Sequence, residues 1–218
     1  MDVPLDPVEI RAIGSLIEKQ VTTPAYYPLT LNALVNACNQ TTNRDPVTTY
    51  DEGTIAHALE SLREKGLAWI VTGSRVPKYE HRFSEKFKLA AREMAVMCVL
   101  MLRGFQTAGE IRGRTGRLYE FASLEEVEAA LETLMKAEPP FAIKLPRLPG
   151  TKEPRFSHLL GGEVAGEGRE SAPRAQAAIV EVPVENERIA KLESEIEDIR
   201  RELQELRRQL QDLKSQLE

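Results

Sequence analysis

The stretch Ile55-Ala-His-Ala-Leu59-Glu60-Ser61-Leu62 returns 72 residues later as Val127-Glu-Ala-Ala-Leu131-Glu132-Thr133-Leu134. A second echo sets Lys78, Arg82 and Phe83 against Lys152, Arg155 and Phe156 at offsets of 73 or 74. A chain that carries one small unit twice must build its fold from two copies of that unit. Most other architectures open to 218 residues are thereby excluded.

Each unit reads as three helices and a hairpin. In the first, Asp6-Pro7-Val8-Glu9 combines a helix cap, proline at the first helical position and a capping-box glutamate. Ile10, Ile13 and Ile17 mark one apolar face, and Val21-Thr22-Thr23-Pro24 predicts a stop near Lys19. A second helix is predicted from about Leu29 to Cys38 and a third from Asp51 to Gly66. Leu67–Val71 and Tyr79–Phe83, about the turn Gly73–Pro77, make the hairpin. The second unit repeats the order. A long helix is predicted over Phe87–Arg103, with capping boxes at Thr107–Glu110 and Ser123–Glu126. Phe141–Leu145 and Arg155–Leu159 follow as a second hairpin about Pro149-Gly150. Three helices and a two-stranded hairpin, twice over, is the pattern of tandem winged helices.

The expected fold class is therefore α+β, mainly α. It divides into a winged-helix domain over 1–85, a second over 86–160, a flexible linker over 161–184 and a coiled-coil helix over 185–218. The linker reading rests on its glycines and alanines, which could build no core. As coil its ends would lie about 25–30 Å apart. The tail carries Ile189, Leu192, Ile196, Ile199, Leu203, Leu206, Leu210, Leu213 and Leu217 at alternating spacings of three and four. In a parallel dimer the flanking pairs Arg188–Glu193, Glu195–Arg200 and Glu202–Arg207 are all opposite in sign. A parallel homodimer through a rod of roughly 43 Å is the expectation. No buried asparagine fixes the strand count, so a trimer stays open.

Composition narrows the function. The net charge of −5 argues against a simple basic nucleic-acid binder, but residues 86–160 carry +3 while residues 1–85 carry −3. Cys38 and Cys98 sit in apolar helical contexts and read as reduced, buried thiols. The longest apolar run, Met94–Leu102, is too short to span a bilayer, and Met1–Pro4 resembles no secretion signal. A cytoplasmic protein is expected, without membrane or cofactor.

No catalytic or metal motif stands out. His57, His81 and His158 lack a second ligand at metal spacing, and duplication accounts for the equivalent places of His81 and His158. Gly109, Gly113 and Gly116 have the wrong spacing for a phosphate loop and read as sites of close helix packing and a turn. The expectation is a protein that is not an enzyme.

Winged helices usually read DNA with the third helix in the major groove. Here the third helices carry Asp51, Glu52, Glu60 and Glu64 in one unit and Glu125, Glu126, Glu128 and Glu132 in the other, which phosphates would repel. The candidate nucleic-acid residues lie elsewhere in the second unit. They are Arg112, Arg114 and Arg117 on or after its second helix, and Lys144, Arg147, Lys152 and Arg155 on its hairpin. Backbone contacts would dominate there. The competing reading is an ordinary solvated surface. The polar run Asn36–Arg44 can read bases or simply close a loop. Tyr26-Tyr27 can anchor a partner or pack between helix and hairpin.

Long segments also resemble the bacterial YceH family: Leu16-Ile-Glu-Lys-Gln-Val-Thr-Thr-Pro24, Tyr27-Pro28-Leu29, Asn36-Ala-Cys-Asn-Gln-Thr-Thr-Asn-Arg44, Leu102-Arg-Gly-Phe-Gln-Thr107, Gly109-Glu-Ile-Arg112 and Leu118-Tyr-Glu-Phe121. The resemblance covers both units and the heptad tail. It implies tandem winged helices in a bacterial cytosolic protein and assigns no catalytic or binding residue. Two functions remain from different classes: a DNA-associated regulator, and a protein-interaction scaffold with no nucleic-acid binding. Expected partners are a second copy of the chain, then DNA or an unidentified protein.

Overall fold

The structure, a computed structural model, describes residues 4–71, 73, 75–147, 150–151 and 153–162. The predicted coiled coil with its seam Ile189–Leu217, nearly all of the predicted linker, and Lys152 lie outside the described residues. Those described form an α+β body, mainly helical, with two small antiparallel sheets.

Helix α1 runs Pro7–Thr22 behind the predicted capping box: Asp6 accepts from Val8 and Glu9, and Glu9 returns to the Asp6 N–H at 2.7 Å. It continues past Lys19 to Thr22: the Thr23 N–H closes on the Lys19 carbonyl at 3.1 Å, and the hydroxyls of Thr22 and Thr23 add bonds to the Glu18 and Lys19 carbonyls at 2.9 and 3.2 Å. After a 3₁₀ turn over Pro24–Tyr26, strand β1 (Leu29–Thr30) precedes helix α2 (Leu31–Cys38). The predicted helix start at Leu29 is thus two residues early, because Leu29 and Thr30 pair with Tyr79 and Lys78. Helix α3 (Glu52–Glu64) is capped by Asp51 and closes at Gly66, whose φ of 66° suits a residue without Cβ.

Strands β2 (Ala68–Val71) and β3 (Lys78–His81) form the hairpin, giving a sheet of order β1-β3-β2. Phe83 is not its last residue. It opens helix α4 (Phe83–Phe87), and its ring packs edge-on against Phe87 and Phe141. The predicted single helix over Phe87–Arg103 is therefore broken. Lys88, at φ 53°, ends α4, and helix α5 starts at Ala91 and runs to Arg103.

Helix α6 (Ala108–Thr115) has the predicted capping box between Thr107 and Glu110. Helix α7 (Leu124–Lys136) is capped by Ser123, but Glu126 turns back to Ala122 N–H rather than to its own cap residue. Strands β4 (Ala142–Lys144) and β5 (Phe156–His158) end the described body. The duplication is visible in register: Ala68 faces His81 in one hairpin, and Ala142 faces His158 in the other. Gln106 bridges Phe156 just before α6, where β1 stands before α2 in the first repeat. The second sequence echo is not structural, since Phe83 opens a helix while Phe156 lies in β5.

One continuous apolar core joins the repeats, with Ile13, Leu16, Leu34, Ile55 and Leu59 from the first and Met97, Leu100, Ile111 and Leu131 from the second. The first helices of the two repeats, α1 and α5, cross at Gly14. A Cβ there would lie 3.0 Å from Leu102 Cδ2 and 3.2 Å from Met101 Cβ. Cys98 Sγ donates to Gly14 O at 3.5 Å. Backbone bonds Asp45 N to Leu102 O, 2.9 Å, and Leu5 N to Leu160 O, 2.7 Å, stitch the repeats further.

Candidate functional site

The polar run Asn36–Arg44 closes on itself. Asn39 brackets Tyr50, donating to its carbonyl at 2.7 Å and accepting from its N–H at 2.8 Å. Arg44 has a fully buried side chain. Its guanidinium grips both Glu18 oxygens at 3.0 and 2.6 Å and donates to the carbonyls of Ala37 and Asn43 and to Gln40 Oε1. Burial alone would push the Glu18 carboxyl up, but the hydrogen bond and charge of Arg44 outweigh it and hold it below the ordinary value. Arg11 is buried beside this pair. One of its nitrogens donates to Pro46 O at 2.6 Å, and Nη1 has no hydrogen-bond partner. The loop is built to fold, and of its polar residues Gln40, Thr42 and Asn43 reach an open cleft.

That cleft holds about 190 Å³. Its walls are the C-terminal ends of α1, α5 and α6, the Gln40–Asn43 loop, and the residues just beyond α6. Lys19, Arg103, Arg114 and Arg117 line it with Glu18, whose oxygens Arg44 already occupies. Arg103 reaches Asn43 Oδ1 and is held below the ordinary guanidinium value, first by burial and then by the charges of Arg114 and Arg44. Several of the segments that carry the family resemblance meet here.

The candidate nucleic-acid residues therefore separate. Arg114 and Arg117 face the cleft, with Arg114 3.5 Å from Glu110. Arg112 lies on another side of α6, donates to Ala122 O at 2.8 Å, and borders a shallow depression with Gly109, Gly113, Gly116 and Phe121. Lys144 and Arg147 are exposed on the second hairpin and Arg155 is half-buried there. The Lys144 ammonium stands 5.9 Å from the Phe156 ring centre. A Cβ at Gly113 or Gly116 would meet nothing within 4 Å, so close helix packing is not what these glycines serve.

The aromatic pair also separates. Tyr27 accepts from His81 N–H at 2.8 Å, whereas Tyr26 is 78% exposed. Trp69 on β2 is 58% exposed under the Arg82 guanidinium, a surface that sequence reading did not single out. Its place in an alternating strand was the available signal.

Both cysteines are buried, and burial pushes the Cys38 thiol up to about 11, far from a reactive thiolate. Burial holds His81 and His158 down at about 4. Among the described residues no group of His, Cys, Asp and Glu is placed to hold a metal ion, and no helix is long and apolar enough to cross a membrane.

These features define an α+β protein made of a repeated helix-and-hairpin unit, with a basic cleft at the junction of the repeats. The chain belongs to the family described as "Protein of unknown function, DUF480", whose profile matches residues 5–151. It is 52% identical over 202 residues to a UPF0502 protein of Solibacter usitatus, covering 92% of this chain and 95% of that one. A UPF0502 protein of Opitutus terrae is 54% identical over 172 residues, covering 78% and 75%. One of Geotalea daltonii is 50% identical over 196 residues, covering 89% of both. The YceH resemblance and these relatives are one family.

Proposed function

We propose that this chain is a non-enzymatic regulator associated with DNA. Its two repeats act as tandem winged-helix units, and residues 185–218 pair two copies as a parallel coiled coil. The contact surface is the β4–β5 hairpin with the Arg112 side of α6, and it works mainly on the phosphate backbone.

The carrying observation is the distribution of charge and bulk on the second repeat. Glu125, Glu126, Glu128 and Glu132 are all exposed on α7, which disfavours that helix in a groove. Lys144 and Arg147 are exposed on the hairpin without a carboxylate in ion-pair range among the described residues. Beside Arg112, the open positions at Gly113 and Gly116 allow a sugar-phosphate strand close to the helix backbone. Two copies tethered by the tail would gain strength from a raised effective concentration.

Fluorescence anisotropy on a mixed-sequence duplex at low salt tests this. Arg112→Glu, Lys144→Glu and Arg147→Glu together should abolish binding, and single changes should each reduce the salt slope by about 0.9. No binding by the wild type, or equal binding by the triple variant, removes the proposal.

A second reading, a protein-interaction scaffold, is favoured by the first repeat. Trp69 and Tyr26 are large, exposed and unusual for a solvated surface. A partner that co-purifies stoichiometrically and is lost with Trp69→Ala would establish it.

A further inference from the structure

We propose that the cleft lined by Lys19, Arg103, Arg114 and Arg117 is a binding site for a small phosphorylated anion, separate from the hairpin surface. The argument is a charge balance. Four cationic side chains converge there. The one acidic side chain in the lining, Glu18, is shared by the buried Arg44 at 2.6 Å and by Lys19 at 3.5 Å. Glu110, 3.5 Å from Arg114, offsets one cation. Three helix C-termini also point their carbonyl ends at this region, and each is equivalent to about half a negative charge. These offsets leave the cleft with a positive surplus, carried chiefly by Arg103 and Arg117, the sign that draws a phosphate monoester.

The simplest competing account is that the cations only complement helix ends. Lys19, Arg103 and Arg114 do stand in last turns, but Arg117 lies beyond α6. Neither Arg103 nor Arg117 has a carboxylate in ion-pair range among the described residues. Behind the wall, the buried Arg11 adds positive potential that solvent screens poorly. Asn43 gives its oxygen to Arg103, which leaves its amide nitrogen as a further donor. Guanidinium forks suit phosphate oxygens bidentately. About 190 Å³ admits a phosphate with a compact substituent, and Val99, Leu102 and Leu118 supply an apolar surface for that part.

Isothermal titration of the full chain with pyrophosphate and with inorganic phosphate is the test, against sodium chloride at matched ionic strength. Saturable binding is expected, tighter for pyrophosphate and absent for chloride. Arg103→Ala and Arg117→Ala should each weaken it about tenfold, the loss of one charge-assisted contact. Should Arg103→Ala fail to fold, Lys19→Met carries the same expectation. Heat no greater than chloride gives, or unchanged affinity in the Arg103 and Arg117 double variant, overturns the proposal.

A short mixed-sequence duplex separates the two sources of phosphate. Pyrophosphate that stays bound in its presence supports the small-anion site. Competitive displacement assigns the cleft to the nucleic-acid backbone and overturns it. Arg112→Glu with Lys144→Glu and Arg147→Glu should leave pyrophosphate binding intact, so this proposal and the DNA proposal can fail independently.

Discussion

At position 44 an arginine with no exposed side chain uses every arm of its guanidinium inside the protein, and its partner Glu18 lies 26 residues earlier on another element. Nothing local announces this. A charged residue in a polar run reads as a loop residue, because burial of a charge is decided by a distant counter-ion. His81 and His158 were legible as equivalents, and the structure puts both opposite an alanine in matching strands. Their burial makes a pH prediction. Both are held at about 4, below the ordinary 6.5, so the unfolded chain takes up protons that the folded chain refuses. Stability is full above about pH 6.5 and falls as pH drops toward 4, by about 2 kcal/mol per histidine at pH 5. Urea midpoints at pH 7.5 and 5 measure it, and His158→Leu should halve the drop. A midpoint that does not change with pH would contradict the assignment.

At the scale of elements, what is local was readable and what is paired at a distance was not. Asp6, Thr107 and Ser123 cap helices where expected, since a cap needs only its own next turn, and Asp51, read as the first residue of the third helix, is its cap. Strand β1 was missed because two residues carry no period and exist as a strand only by pairing with β3. The break between α4 and α5 was missed because it falls at Lys88, in the left-handed region, and the short helix before it packs its Phe87 ring on the distant Phe141. Two glycines on helices should behave oppositely. Gly14→Val drives a side chain into Leu102 and Met101 and should cost about 1–3 kcal/mol. Gly113→Ala fills open space on a helix and should add up to about 1 kcal/mol. Thermal melts of the two variants check the pair, and equal shifts would contradict the crossing described at Gly14.

For the molecule as a whole, duplication was the most legible feature and the joining of the copies the least. The sequence echo marks Ile55–Leu62 and Val127–Leu134, which lie on α3 and α7, yet the joint is made by α1 and α5. Those helices share an apolar character but no repeated motif. The candidate cleft was partly legible: Arg114 and Arg117 were singled out, whereas Lys19 and Arg103 were not, because only the crossing of α1 and α5 brings them near. The tail makes its own prediction from the heptads alone. Leu203→Lys places charge at the middle of the seam and should shift a homodimer toward monomer. Light scattering at micromolar concentration reads this, and a monomeric wild type would refute it.

The seam at Gly14 has one more consequence. With no side chain to yield there and hydrogen bonds stitching Asp45 to Leu102 and Leu5 to Leu160, the two hairpins grow from one continuous core. A ligand that touched both hairpins at once would have to match the spacing this shared core sets, whereas two independent heads would tolerate many.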